Sequence, residues 1–319
     1  MATYKQYDIV GDREDLSDVI YNISPTDTPF MSSVGKTKAT AVLHEWQTDS
    51  LAAADATNAA VEGADATSAT LSPTVRVGNR TQISQKTIQV SGTLDTAIDK
   101  AGRKSEKAYQ LSKASSELKR DMEKILLSNQ VAAAGTGGGS PTARKLGALQ
   151  AWINTNVSLG SSGVAGSLGT TAKVDGTNRA FDEDQLKEVV REAYTNGGNP
   201  SVVMLSPAKK QEFSAFAGIA EQRFAAPANK QSTIVGAADI YLSDFGTLSV
   251  VPNRFMTAEA DSGEVAFVLD PEYAAIAYLR PFQTNELAKT GDSEKTQLLV
   301  EYTLEVKNEA AHGLIGDLT

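Results

Sequence analysis

The sequence predicts an α+β chain, and three observations carry that reading. Residues 38–129 hold two strand-like arms around a long polar excursion, followed at once by a helix-period stripe. The middle of the chain alternates short helical and short strand patterns. Near the end, Leu298, Val300, Tyr302, Leu304 and Val306 alternate with Gln297, Leu299, Glu301, Thr303, Glu305 and Lys307, the clearest strand in the chain. Period-two alternation marks a pleated strand, and steps of three and four mark a helix.

Residues 1–36 read as an extended arm with one short helix. Asp12 is placed to cap residues 13–21, whose apolar side is Leu16, Val19 and Ile20. Pro25 and Pro29 then impose an extended path, because proline fixes its own φ and pushes the preceding residue out of the helical region. The first strand-like arm is Ala41-Val42-Leu43-His44-Glu45-Trp46, with His44 expected on its polar face. The return arm alternates Leu71, Pro73, Val75, Val77, Thr81 and Ile83 against Thr74, Arg76, Arg80 and Gln82. Between them, residues 52–69 are too small and polar to form a core. A lone two-stranded hairpin is marginal in water, so something outside it, such as another chain, has to hold it. That is the mark of an assembly arm.

The stripe that follows is Leu94, Ile98, Ala101, Ser105, Ala108, Leu111, Ser115, Leu118, Met122 and Ile125. Thr93 or Ser91 is placed to cap it, and no proline interrupts it before Asn129 and the glycines at 135–139. A helix of about 36 residues would span roughly 54 Å, well beyond the usual three or four turns. It reads either as a solvated surface helix on an ordinary enzyme or as a strut across a thin, sheet-like subunit. Residues 155–178, rich in Gly, Ser and Thr, read as a mobile loop. A compact block follows. Asp182 opens a helix with Leu186, Val189, Val190, Ala193 and Tyr194 on its face, stopped by Gly197-Gly198. Residues 201–205 form a short buried strand, and Ser206-Pro207 starts another helix with serine as cap and proline at the first position. Further strand-like runs lie at 234–242, 247–251, 265–269 and 274–279.

With 319 residues the chain can bury one large or two modest cores. Its 41% hydrophobic and 22% charged residues are those of a folded protein. It has no cysteine, so neither disulfides nor thiolate metal sites contribute. No apolar run approaches a membrane span and the first residues lack the pattern of a signal peptide, so synthesis in the cytoplasm is expected. A net charge of −9 argues against tight direct binding of nucleic acid, which needs clustered Lys and Arg. It does not oppose enclosing nucleic acid, since a mildly anionic wall keeps a polyanion from sticking.

The catalytic motifs fail one by one. Gly35-Lys36-Thr37 echoes the end of a phosphate-binding loop, but Phe30 stands where its first glycine belongs. In the 135–139 cluster, Ser140 replaces the last glycine of a dinucleotide fingerprint. No serine sits in a GxSxG elbow. The two histidines, His44 and His312, cannot make a His-rich metal site, and structural roles fit both. Glu62 with Asp65, and Asp182 with Glu183 and Asp184, are explained by capping and solvation. No catalytic residue, cofactor or metal is expected, and the chain reads as a non-enzyme.

The order of these parts is matched by a resemblance. Residues 13–30, ending Asn22-Ile23-Ser24-Pro25-Thr26-Asp27-Thr28-Pro29-Phe30, are similar to the N-terminal arm of a group of tailed-phage major capsid proteins. So are His44-Glu45-Trp46-Gln47-Thr48-Asp49-Ser50-Leu51, Asn79-Arg80-Thr81-Gln82-Ile83, Val90-Ser91-Gly92-Thr93, Glu117-Leu118-Lys119-Arg120-Asp121-Met122-Glu123, Ser243-Asp244-Phe245-Gly246 and Leu287-Ala288-Lys289-Thr290-Gly291-Asp292. The likeness weakens in 155–178 and 221–233. It implies the Hong Kong 97-type capsid fold. The N-terminal arm is then 1–36, the extended E-loop hairpin 37–91, the spine helix and linker of the peripheral (P) domain 92–144, the axial (A) domain 145–280, and returning P-domain strands 281–319.

What the resemblance implies is a structural protein of the virion that self-assembles, as pentamers and hexamers, into an icosahedral shell around double-stranded DNA. A scaffolding protein, a portal and a decoration or cement protein are the implied partners. Trp46, Arg76, Arg80 and Phe30 are the candidate assembly-interface residues: Trp46 as anchor of the hairpin base, the arginines as partners for a neighbour's carboxylates. An encapsulin-like nanocompartment shares the implied fold. A soluble α+β enzyme with an acidic surface is the reading from another class.

Overall fold

The computed structural model describes residues 24–63, 65, 68, 71–97, 102, 104–216, 239–256 and 263–319. The expected helix at 13–21 lies outside them. Among the described residues the strands form a four-stranded sheet, a six-stranded sheet and a separate two-stranded hairpin.

Residues 24–28 have no regular structure, and Pro29 ends that path instead of prolonging it. It is the first residue of a short helix, α1 (Pro29–Ser33), where its missing N–H would have had no partner anyway. The next strand, β1 (Gly35–Lys38), runs parallel to β10 (Ala274–Leu287) at the edge of the four-stranded sheet. β10 pairs antiparallel with β11 (Ser293–Val306), and β11 with β4 (Gln82–Ser91). Two register shifts in β10 flank Arg280 and Pro281; proline has no N–H for the ladder, so a bulge forms there. β11 is buried on both faces, with Leu299, Glu301 and Thr303 at 8%, 3% and 0% exposure. The polar positions of its alternation are therefore interior as well.

The two arms are β2 (Leu43–Thr48) and β3 (Val75–Arg80), paired only with each other. The return arm is not one strand. It changes sheets at Thr81, β3 belonging to the hairpin and β4 to the four-stranded sheet.

The long helix is also corrected. A π-helical turn covers Thr93–Ala97, and the α-helix proper, α2, is Glu106–Leu127, 22 residues long, or about 33 Å. Its start is fixed by two acceptors. The Ser105 hydroxyl accepts from the N–H of Ala108 at 3.2 Å, and Asp95 Oδ1 accepts from Glu106 and Lys107 at 2.7 and 3.2 Å. A carboxylate on otherwise unpaired first-turn donors stabilises a helix start there. Gly102, with φ +73°, lies in the break. Leu118, Met122 and Leu126 are almost fully buried, each worth about 1.5–3 kcal/mol.

Two elements the sequence reading did not anticipate come first, α3 (Leu149–Trp152) and β5 (Val157–Ser158); the compact block then follows its predicted order, α4 (Glu183–Thr195), β6 (Val202–Leu205), α5 (Pro207–Ser214), β7 (Ile240–Ser243), β8 (Gly246–Pro252) and β9 (Glu264–Leu269). The last strand, β12 (Gly313–Leu318), lies between β5 and β9. The 281–319 segment therefore divides between two sheets. The six-stranded sheet, in order β5-β12-β9-β6-β8-β7, buries Val203, Val268 and Ile315 against α4 and α5 on one face. On the other face Met204, Phe267 and Leu314 join α2, α3 and the four-stranded sheet in the main core. Tyr194, expected on the buried side of α4, is 52% exposed.

Residues 155–178 are not a free loop. Antiparallel bridges join Val164 to Val174 and Ser167 to Thr171. Lys173 is buried between Asp175 and Asp317. A Cβ on Gly160, Gly166 or Gly176 would stand under 3 Å from neighbouring backbone, so glycine serves close packing here.

Candidate assembly surface

The hairpin leaves the subunit through a joint assembled from four distant segments. Glu301 on β11 is its centre. Its carboxylate accepts from the Thr81 hydroxyl at 2.9 Å and from Arg280 Nε at 2.8 Å, and Arg144 binds the same group. Arg144 Nε also donates to the Thr81 carbonyl at 2.6 Å. Beside it, the Asn79 side chain donates to the carbonyls of Gly147 and Leu304, each at 2.8 Å, and accepts from the Gly147 N–H at 2.7 Å. These bonds hold Thr81, where the chain changes sheets, and Asn79 just before it, both 0% exposed.

Above the joint, one face of the hairpin turns inward. Trp46 stacks on Trp152, ring centroids 5.4 Å apart, and Trp152 donates to the Gly147 carbonyl at 3.1 Å. His44 shares this face rather than the polar one: its ring lies 5.7 Å from that of Trp46 and its Nε2 3.1 Å from Glu305, which also accepts from Thr37. The outer face carries Glu45 and Arg76, an ion pair within the hairpin. Its hydrogen bond to Arg76 draws the Glu45 carboxyl below its ordinary pKa and raises that of the guanidinium. Both are at the surface, so the pair adds little stability.

Beyond Thr48 the described residues of the arm, to Arg76, have no cover. Val75 is 59% exposed, Val61 79%, Leu71 89% and Leu51 98%. Scattered apolar exposure is common, but apolar residues gathered on a projecting element mark an interaction site.

Of the four candidate residues, Trp46, Arg76 and Arg80 lie on this hairpin, and Phe30 does not. Phe30 is 0% exposed within its own chain, so its ring offers a neighbour no surface. It anchors α1 instead, with its backbone N–H and that of Met31 bound to Glu123 at 2.7 and 3.0 Å. Glu123 also accepts from Asn253 at 2.7 Å, and burial pushes its pKa up. Arg80 has no ion-pair partner among the described residues. Sequence reasoning missed Glu301, Arg144, Arg280 and Asn79. The available signal was a carboxylate midway along an apolar strand.

A cleft of about 390 Å³ beside Ile83, Gly135 and Thr136 has Arg144 as its ionisable lining residue, and that group is already bound to Glu301. Among the described residues no cluster of His, Cys, Asp or Glu is placed to hold a metal ion, and no helix is long and apolar enough to cross a membrane.

Two sheets on a shared core, a long helix packed against it and a separate hairpin are the parts of the Hong Kong 97-type fold. The solved structure from Mycobacterium phage Cain aligns with TM-score 0.62 at 12% identity over 98% of each chain. The capsid of a native GTA particle gives 0.61 at 13%, over 98% of this chain and 97% of that one. The SrpI encapsulin complex from Synechococcus elongatus is more distant, at 0.54 and 10% over 97% and 92%. These likenesses establish the fold. The family follows from sequence: the SU10 major capsid protein model matches residues 2–319, and the major capsid protein of Escherichia phage Phieco32 is 30% identical over 98% of this chain and 96% of its own. The chain belongs to the SU10 major capsid protein family. It is a structural protein of the phage virion, and copies of it build the icosahedral capsid.

Proposed function

We propose that the β2–β3 hairpin is the strap by which one subunit holds the next. The observation that carries this is the contrast along the arm: a root fixed by Glu301, Asn79 and the Trp46–Trp152 stack, and an outer half whose apolar side chains have no partner in their own chain. In an assembled shell a neighbour covers Leu51, Val61, Leu71 and Val75. Arg80, on the outer face, then reaches a neighbour's carboxylate, while Arg76 exchanges Glu45 for one. Trp46 acts from the base by setting the direction of the arm. Interfaces of obligate assemblies typically exceed about 2,000 Å², so the strap supplies part of the contact between copies.

Pentamers and hexamers of this one chain, enclosing DNA without sequence-specific binding, are the corresponding assemblies, and scaffolding, portal and decoration proteins are the corresponding partners. The four-stranded sheet with α2 fills the role of the P-domain and the six-stranded sheet with α4 and α5 that of the A-domain. The protein has no enzymatic role. Light scattering with negative-stain imaging of the recombinant chain tests the strap. Replacing residues 51–71 by a short Gly-Ser turn should leave a folded subunit that forms no particles of tens of nanometres. Wild-type shell yield from that variant would overturn it.

A further inference from the structure

We infer that the six-stranded sheet joins copies of this chain edge to edge, β7 of one subunit meeting the 159–178 hairpin of the next. The inference rests on the shell function above and concerns a surface remote from the strap. At one edge of the sheet, Ile240 and Leu242 are 67% and 80% exposed while Tyr241 between them is buried. Tyr194 and Phe245, ring centroids 4.9 Å apart, extend the same patch. At the opposite edge, β5 leads into the 159–178 hairpin, where Val164 lies across from Val174. These valines are 57% and 54% exposed and Leu168 is 39% exposed.

The hairpin is a firm mount for its valines. Gly166 sits against the Ala151 backbone and Gly169 against the Trp152 ring, and the Gly169 N–H donates to Ala151 at 2.9 Å. Both patches are free of charge at their centres. No charged residue occurs from Leu159 to Ala172 or from Ile240 to Ser243; Lys173 and Asp175, paired with each other, flank Val174, and Asp239 and Asp244 bracket the second strip. An apolar centre with charges at its rim is the anatomy of a protein interface. Two unlike patches on opposite edges of one sheet are what a head-to-tail contact requires, and such contacts close into rings. Each patch holds only three or four apolar side chains, well short of the roughly 1,200 Å² at which free proteins pair stably. A contact this small suits a second copy, where it recurs around the ring beside the strap, better than an independent partner.

The chain lacks cysteine, so an introduced pair supplies the sole thiols. Shells assembled from the Val164→Cys, Leu242→Cys double variant and then oxidised should run on a non-reducing denaturing gel as a ladder of linked subunits ending at the ring size. Reductant should collapse the ladder, and neither single variant should produce it. Shells that form at wild-type yield and stay unlinked would overturn the contact and leave the shell function standing; failure of the wild type to form shells would strike the shell function itself. If the double variant does not assemble, charges decide. Val164→Asp and Leu242→Lys should each lower shell yield about tenfold or more without unfolding the subunit, and together they should restore it. Single variants without effect, or no restoration in the pair, would refute the contact.

Discussion

At Glu301 one carboxylate serves a strand, its neighbouring strand, a linker and the point where the chain changes sheets. Removing it leaves two guanidiniums facing a site that water hardly reaches. Breaking a buried ion pair costs about 3–5 kcal/mol, and the low end applies because Arg280 is 44% exposed. Glu301→Ala should therefore destabilise the isolated subunit by about 3 kcal/mol, read from its urea unfolding midpoint. His312 gives a pH dependence. Burial lowers its pKa to about 4 despite the opposing pull of Asp270 and Glu309, and its Nδ1 accepts from the Asp270 N–H at 3.3 Å. The folded state keeps it neutral while the unfolded chain protonates near 6.5. Its contribution is complete above about pH 6.5 and is lost as pH falls toward 4, in all about 3 kcal/mol. His312→Asn should flatten the dependence of unfolding midpoint on pH between 7 and 5. The structural role of His312 was legible in the sequence; the role of Glu301 was not. Alternation along β11 assigns Glu301 to a polar face, and only the segments brought from positions 81, 144 and 280 turn that face into an interior.

Among elements, the hairpin was readable because its signal is local. Period-two arms and an apolar-poor tip are properties of consecutive residues. The length of α2 was not readable, because the stripe continues through Ala and Ser positions that bury little, and weak periodicity loses to strong caps. Asp95 decides where the helix begins. Asp95→Ala should cost about 1 kcal/mol, visible as a lower melting temperature and as faster hydrogen exchange at Glu106 and Lys107. Trp46→Ala acts on another element. Its side chain is only partly buried, so the loss falls below the ~3–5 kcal/mol of a fully buried Trp, and the subunit should stay folded. Shell yield should drop much further than subunit yield, since the arm loses its stacking partner; equal losses in the two would reduce Trp46 to a packing residue.

For the molecule as a whole, the order of hairpin, helix and compact block was legible, and the way the sheets share the chain was not. Nothing local announces that β12 inserts between β5 and β9, or that residues 155–178 pack as a glycine-rich hairpin on Trp152. Those placements depend on partners far away in sequence. The same dependence governs stability. Main-core side chains come from residues 30, 118, 152, 204, 267, 300 and 314, so a cavity anywhere in it should lower a single cooperative transition. Phe267→Ala should cost about 3–5 kcal/mol and shift the midpoint seen by tryptophan fluorescence and by far-UV circular dichroism together.

The pairing of β1 with β10, and of β4 with β11, also has a consequence on the ribosome. Neither early strand has its partner until residues beyond 274 and 293 emerge. At about 5–20 residues per second, β4 waits roughly 10–40 s for β11. During that interval the root of the strap is incomplete, because Glu301 and Leu304 have not been made. A nascent or interrupted chain therefore cannot present an aimed arm, and the growing shell is offered only finished subunits.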